Sequence, residues 1–260
     1  GALFVGGSFT AAASPVRPAP LGHVAVWDGT VARGLGGGVD GDVYALAPWA
    51  GPDGNGFGVV VGGAFTTAFA PSTPALRCGG LAWWNITGSD PAAGLGGWAM
   101  AGMIGPLDGV VWAMAVGPRP AGGGAQPLLV GGHFDSANGA TGYGGLAQYL
   151  ANGSWAPVGT GLSGQVSAIS LGGGGGAGGA VYVAGDLRLV GPDGGAARGG
   201  VAGFDGAQWS LLPALDGPVH SLAVVGDAVL AAGAFRKAVG QPASLLALGG
   251  VARFYGGGWA

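Results

Sequence analysis

The charged side chains that could bind a ligand are few, and most of the cations lie in glycine-rich segments between apolar stretches. The sequence has nine lysines and arginines, twelve aspartates and no glutamate. Guanidinium groups pair bidentately with carboxylate and similar anions. Six cations fall in the long connections between apolar stretches, and they predict a site for an anionic glycan or a peptide carboxylate. They are Arg17, Arg77, Arg188, Arg198, Arg236 and Lys237.

Three aspartates occupy a shared position before an apolar stretch: Asp40, Asp108 and Asp216, each followed by Gly. We include them with the six cations among the candidate ligand-binding residues. A second interpretation stays open and is simpler. Aspartate before glycine is ordinary turn chemistry, and arginine in an exposed loop keeps a protein soluble.

Catalytic and metal chemistry lack the residues they need. A copper radical site requires Cys beside Tyr and converging histidines, but Cys78 follows Arg77 in a connection, and the three histidines, His23, His133 and His220, occupy unrelated positions. One imidazole does not make a metal site. Hydrolysis by paired carboxylates would have to use two aspartates. We therefore predict no catalytic residue, no metal ligand and no cofactor.

The composition excludes several classes of protein. Glycine (63) and proline (17) are abundant, yet 49% of the 260 residues are hydrophobic, which is too apolar for a disordered chain. Helical bundles need the charged surface residues that are scarce here, at 8%. The net charge of -3 provides no basic field for nucleic acid. No apolar run approaches the roughly 18 residues of a membrane span, so we expect none in this chain.

An internal repeat predicts the fold. A Val-Gly-Gly-x-Phe motif or a close variant occurs five times, and its second glycines are 56, 69, 53 and 48 residues apart. Periods of this size are typical of blade-type β repeats. The copies are Val5–Phe9, Val61–Phe65, Val130–Phe134, Val183–Leu187 and Ala231–Phe235.

Further short apolar segments accompany the motif. One runs Val-Ala or Leu-Ala and ends in an aromatic residue; the next follows a turn such as Asp205-Gly206 and usually opens with Trp. Such turns are strong hairpin signals. A purely apolar segment after a glycine occurs four times. Four strands per period describe an antiparallel sheet that cannot bury both faces alone, so the sheets must stack.

In this order of segments the sequence resembles the kelch and galactose-oxidase-type β-propellers. It is most similar to the repeats of fungal cortical-marker (bud-site) surface proteins and related bacterial secreted repeats. The resemblance implies an all-β propeller of four-stranded antiparallel blades, each with the Gly-x-Val strand innermost, then the Val-Gly-Gly, Val-Ala and Trp strands. It implies one domain over residues 1–260, with blades near 1–36 (partial), 41–101, 109–159, 164–213 and 217–260.

The first blade lacks its inner strand in this register. Either five blades close with one short blade, or the chain is part of a larger ring. The lack of an evident start or natural stop favours the larger ring.

Two glycosylation sequons begin at Asn85 and Asn152, and we expect both in solvent-facing hairpins between the third and fourth strands. They favour an extracellular or cell-surface location.

These observations predict a non-catalytic, extracellular or cell-surface binding and scaffolding module. Its loops would present a face to a protein or an acidic glycan. Two alternatives remain: a secreted carbohydrate-active or copper-oxidase-like enzyme that uses an axial pocket, and a purely structural wall or appendage component built by lateral assembly.

Overall fold

The prediction of an all-β chain is confirmed. The computed structural model describes residues 2–12, 19–52, 54, 56–70, 74–87, 96–99, 106–119, 124–150, 152–172, 180–191, 193–239 and 249–260. Every regular element among them is a β-strand, and none is a helix. Accordingly, these residues include no helix long and apolar enough to cross a membrane.

Five main antiparallel sheets follow one another along the chain. Sheet 1 has three strands: β1 (Leu3–Gly6), β4 (Val24–Trp27) and β5 (Ala32–Gly34). Sheet 2 has four strands: β7 (Asp42–Trp49), β8 (Gly58–Ala64), β11 (Leu81–Ile86) and β12 (Gly96–Ala99). Sheet 3 also has four: β13 (Val110–Val116), β14 (Leu128–His133), β17 (Leu146–Tyr149) and β18 (Trp155–Pro157).

Sheets 4 and 5 repeat this arrangement. Sheet 4 consists of β19 (Leu162–Leu171), β20 (Val181–Val190), β21 (Ala196–Phe204) and β22 (Trp209–Leu211). Sheet 5 consists of β23 (Val219–Val225), β24 (Ala228–Gly233), β25 (Val251–Tyr255) and β26 (Gly258–Trp259). Within each main sheet, every strand pairs with the next strand of that same sheet along the chain. The predicted strand order is therefore observed.

Three smaller sheets accompany the main ones, each formed mainly by the segment after a Val-Gly-Gly strand; β6, which precedes sheet 2, joins the second of them. Their strands are β2 (Ala11–Ala12) with β3 (Ala19–Pro20); β6 (Gly38–Val39) with β9 (Thr67–Phe69) and β10 (Leu76–Arg77); and β15 (Ser136–Ala137) with β16 (Ala140–Thr141). Sheet 4 has no such side element among the described residues, because β20 and β21 themselves continue as a long two-stranded ribbon.

The chain divides into two compact units. The first comprises Gly1–Val130, Phe134–Gly142 and Gln148–Ala156; the second comprises Gly131–His133, Tyr143–Ala147 and Pro157–Ala260. Each has its own buried apolar cluster, containing valines, Trp84 and Trp98 in the first unit and valines, Phe235 and Trp259 in the second.

Glycine lets neighbouring sheets approach closely within a unit. A Cβ added at Gly62 would lie 2.5 Å from Cγ1 of Val111, on the first strand of the next sheet. At the equivalent position in sheet 4 the residue is Ala184, fully buried in the same apolar cluster as Val219. The first glycine of the motif is therefore a sheet-packing position.

In sheets 2, 4 and 5 a tryptophan of the fourth strand is hydrogen-bonded to the sheet before it. The indole Nε1 of Trp98 donates to the carbonyl of Leu35 at 3.2 Å. Trp209 donates to Val158 at 2.6 Å, and Trp259 donates to Pro213 at 2.7 Å. Each acceptor follows the last strand of the preceding sheet, so one bond recurs along the chain.

Candidate functional site

The three candidate aspartates accept hydrogen bonds from backbone amides at the start of the segment that follows the Val-Gly-Gly strand. Asp40 Oδ1 accepts hydrogen bonds from the Thr66 and Thr67 amides at 2.7 and 2.9 Å. The hydroxyl of Thr66 donates to Asp40 Oδ2 at 2.7 Å. One carboxylate thus fixes two successive residues immediately after the Phe of the motif.

The same contact recurs in sheets 3 and 5. Asp108 Oδ1 accepts from the amides of Asp135 and Ser136, both at 2.9 Å. Asp216 Oδ1 accepts from the amides of Arg236 and Lys237 at 2.7 and 2.9 Å. We call these three contacts the aspartate caps. The ligand-binding role of the aspartates stays a prediction, and the caps give them a structural role as well.

The caps change the acidity of two carboxyl groups. Partial burial raises the pKa of Asp40, but the hydrogen bonds from Thr66 and Thr67 together outweigh it, and the pKa lies below its usual value. Backbone hydrogen bonds from Arg236 and Lys237, helped by the Lys237 charge, lower the pKa of Asp216. Both carboxylates are stabilised in the charged form.

Sheet 4 has Ser163 where sheets 2, 3 and 5 have the capping aspartate. Its hydroxyl donates to the carbonyl of Arg188 at 3.5 Å. The residues that a carboxylate would cap, Arg188 and Leu189, are here paired across the ribbon with Arg198 and Ala197. The second and third strands therefore run on without a turn.

Two of the predicted cations meet on this ribbon. Arg188 and Arg198 are direct Cα partners on β20 and β21. Arg198 is within 3.5 Å of Asp186, and both side chains are about three-quarters exposed. The structure thus brings together two arginines 10 residues apart in sequence, with one carboxylate beside them.

The remaining predicted cations are carried by other segments of the chain. Arg77 is exposed on β10 as the partner of Thr67, so it stands next to the cap of Asp40. Arg236 and Lys237 are exposed and supply the amides bound by Asp216. Arg17 lies outside the described residues.

The three histidines and the cysteine have different surroundings. Among the described residues, no three His, Cys, Asp or Glu side chains form a group that could hold a metal ion. His23 contacts Asp42 at 3.5 Å, whereas His133 and His220 are exposed. Cys78 is fully buried; its burial and the nearby Asp40 charge raise the pKa of the thiol to about 12. Such a thiol is a poor nucleophile.

The two sequons differ in setting. Asn152 is exposed in the turn between β17 and β18, where its Oδ1 accepts bonds from the amide and hydroxyl of Ser154 at 3.1 and 2.7 Å. Asn85, expected in a solvent-facing hairpin, instead lies half-buried within β11. The reason is that the strand continues to Ile86, which is buried.

Sequence reasoning missed both the aspartate caps and the indole bonds. The sequence contains a signal for the caps: an Asp-Gly pair precedes the first strand in the sheets where polar residues follow the Phe of the motif. In sheet 4 the pair is Ser163-Gly164 instead. The acceptors of the indole bonds are backbone carbonyls of another sheet, for which residue type gives no signal.

No protein-family model matches the sequence, and no curated protein is significantly similar to it. The chain is similar to a solved structure titled as the crystal structure of the computationally designed Ika8 protein. Sequence identity is 13%, the match covers 96% of this chain and 71% of that chain, and the TM-score is 0.40. A similarity of this degree supports no inference about fold or function.

Proposed function

We propose that this protein is a non-catalytic binding and scaffolding module, extracellular or at a cell surface. Its loops recognise an acidic partner, either a glycan or a protein. The observation that carries the proposal is that exposed cations stand on segments whose backbone is fixed at the base. Arg236 and Lys237 show it most directly, because the same two residues expose their side chains and donate their amides to Asp216.

A fixed backbone favours binding for a physical reason. Ordering a mobile loop costs free energy when a ligand binds, and that cost is absent where the loop is already held. Asp40 holds the base of the segment that carries Arg77, through Thr66 and Thr67. The capped turns are therefore supports from which cations can engage a rigid anionic surface.

We further propose that the main sheets are blades of a β-propeller of the kelch type. Support comes from contacts repeated within each unit. The indole bonds of Trp98 and Trp209 each reach back to the preceding sheet, and Gly62 packs against Val111 as Ala184 packs in the cluster of Val219. Contacts that recur from one sheet to the next are typical of radial repetition.

The binding function is tested with an array of acidic glycans and acidic peptides. Purified protein should bind at least one acidic class, and the double variant Arg77→Ala/Arg198→Ala should bind it at least a hundredfold more weakly, since each charged hydrogen bond contributes about 1.5–3 kcal/mol and two are removed. Arg253→Ala, which removes an exposed cation from β25, is the matched control. Unchanged affinity in the double variant, or no binding on the whole array, contradicts the proposal.

The support that Asn152 gives to an extracellular location is tested by asking whether this sequon is glycosylated. Its exposed turn is open to a glycosyltransferase, whereas Asn85 is half-buried in a strand ladder. Expression through a eukaryotic secretory pathway should give a mass increase that Asn152→Gln abolishes. Secretion without any glycan at Asn152 would remove this support.

A further inference from the structure

The ribbon of sheet 4 has an open edge. The last strand, β22, pairs only with Ala202–Phe204 of β21. The earlier part of β21, residues 196–199, pairs with β20 on one side, and no described residue forms a strand on its other side. In sheets 1 to 3 the corresponding segments turn away into side elements. An unpaired strand edge is a template for another strand.

The ladder shows which backbone groups face outward. The amide of Val190 donates to the carbonyl of Gly161, the residue before β19, at 2.9 Å. The even-numbered residues of this part of β20 therefore direct their backbone N–H and C=O groups towards β19. Leu187 and Leu189 direct theirs towards β21. Their partners are Gly199 and Ala197. Ala196 and Arg198 therefore direct their N–H and C=O groups to the open edge.

The edge is accessible and lined by small side chains. Ala196, Ala197 and Arg198 are all exposed, and Gly199 is partly exposed. Arg198 has the only long side chain among them. Four residues of strand extend about 13 Å, which is enough to align an added strand through the four outward groups.

The facing strands of the ribbon place two positive charges opposite each other, while the aspartate at its turn, Asp193, accepts the amide of Gly195 at 3.1 Å. Arg188 and Arg198 face each other directly, and like charges in that arrangement destabilise a sheet. Asp186 offsets only one of them, through an exposed contact at 3.5 Å. An anionic side chain on an added strand opposite Arg198 would relieve the repulsion.

A second copy of this chain fits the edge poorly. Antiparallel pairing of two such edges about Arg198 would place Arg198 against Arg198, again like charges directly opposite. The occupant that matches both the hydrogen-bonding edge and the charge is an acidic peptide in extended conformation.

We propose that the open edge of β21 at residues 196–199 binds an extended acidic peptide by β-strand addition. Main-chain hydrogen bonds to Ala196 and Arg198 hold the peptide, and the Arg188–Arg198 pair selects acidic side chains. This inference rests on the proposed function and specifies its partner as a peptide strand.

The test uses synthetic eight-residue peptides in which Asp or Glu alternates with Thr or Val, labelled for fluorescence anisotropy against the whole protein. Two versions carry N-methyl groups on alternate residues, one in each phase. Because the N–H groups of a strand point alternately to its two sides, one phase should bind at least tenfold more weakly than the unmodified peptide, and the other should bind nearly as well. A lysine-containing peptide of the same pattern should not bind.

The charge requirement is tested with Arg198→Gln and Arg188→Gln, each expected to weaken peptide binding about fivefold; Arg253→Gln is the control. Sedimentation velocity and static light scattering on each variant report whether it stays monomeric. An Arg198→Gln variant that aggregates while no acidic peptide binds the parent protein overturns the proposal, because Arg198 then only protects the edge. Concentration-dependent dimers that acidic peptide does not dissociate also overturn it.

Failure of this inference is distinguishable from failure of the proposed function. Equal binding of both N-methylated phases, together with weakening by the arginine variants, excludes strand addition and leaves acidic recognition intact. Binding of acidic glycans on the array but of no acidic peptide has the same meaning. If nothing acidic binds in either experiment, both proposals are wrong.

Discussion

Sheets 2 and 4 have the same strand order but organise the segment between the second and third strands differently. In sheet 2, Asp40 caps Thr66 and Thr67, and the chain leaves the sheet to form β9 and β10. In sheet 4, Ser163 stands in place of the aspartate, and β20 and β21 continue as a ribbon to Val190.

The comparison shows that the same repeat position can hold an aspartate beside a turn or a serine beside a continuous ribbon. A carboxylate can accept two successive amides, which holds the chain in a turn. In sheet 4 the Ser163 hydroxyl instead donates to the carbonyl of Arg188, and Arg188 and Leu189 are paired within the ribbon. In the same sheet the edge of β21 is exposed and Arg188 lies opposite Arg198.

The largest expected effect concerns sheet packing. Gly62→Ala should lower the free energy of unfolding by about 2 kcal/mol, because its Cβ would lie 2.5 Å from the stiff side chain of Val111. Ala184→Gly in sheet 4 should cost about 1 kcal/mol through lost burial and added backbone entropy. Urea unfolding followed by tryptophan fluorescence measures both. Gly97→Ala, with nothing within 4 Å, is the control, and a Gly62→Ala protein as stable as this control contradicts the prediction.

The aspartate cap gives the next effect. Asp40→Ala should destabilise the protein by about 1–2 kcal/mol, since Thr66 and Thr67 lose their acceptor. Ser163→Ala should cost less than about 0.5 kcal/mol, because its one hydrogen bond is 3.5 Å long. Hydrogen exchange at the Thr66 and Thr67 amides should quicken only in Asp40→Ala. Equal losses in the two variants would mean that the cap does not distinguish the sheets.

The indole bonds should behave alike in the two sheets. Trp98→Phe and Trp209→Phe each remove a donor to a backbone carbonyl, and each should cost about 1 kcal/mol. The buried indole nitrogen of Trp155 has no hydrogen-bond partner, so Trp155→Phe should cost clearly less in the same unfolding experiment. A loss at Trp155 as large as at Trp209 would show that the indole bond contributes nothing.

Acid should weaken the capped turns selectively. The pKa of Asp40 is lowered in the folded protein, so its contribution is present above the unfolded value of about 3.9 and is lost as pH falls through the folded pKa. Asp40→Asn should therefore flatten the fall in stability below about pH 4. Ser163→Ala should leave that slope as it is. Urea midpoints measured between pH 2.5 and 6 decide the point, and parallel slopes for Asp40→Asn and the parent would contradict it.

The smallest effect lies in the ribbon. Asp186→Asn removes the exposed contact with Arg198 and should change stability by only about 0.3 kcal/mol. The change should shrink further at high salt, because exposed charges are screened. A loss above 1 kcal/mol would show that the ribbon depends on this pair for its fold.

Part of the fold could be predicted because it is encoded in short patterns. The recurrence of motifs such as Val61–Phe65 indicated the second strands, and Asp-Gly turns such as Asp205-Gly206 indicated hairpins; Asp205 indeed accepts the amides of Ala207 and Gln208 at 2.8 Å. The course of the chain beyond the second strand could not be predicted, since the acceptor of the Thr66 amide lies 26 residues earlier. For the same reason Arg188 and Arg198 were grouped by composition but not as facing partners.

The sequence by itself determined that this protein is all-β, that its sheets repeat, and in which order their strands pair. Periodic side chains and turn residues act over a few neighbouring positions, and that range is enough to specify a hairpin. Only the tertiary structure decided that aspartates cap distant amides, that tryptophans bond to the preceding sheet, and that β21 keeps an open edge beside two arginines. Those features depend on which backbone groups of separate segments come within hydrogen-bonding distance, and residue type alone does not specify that distance.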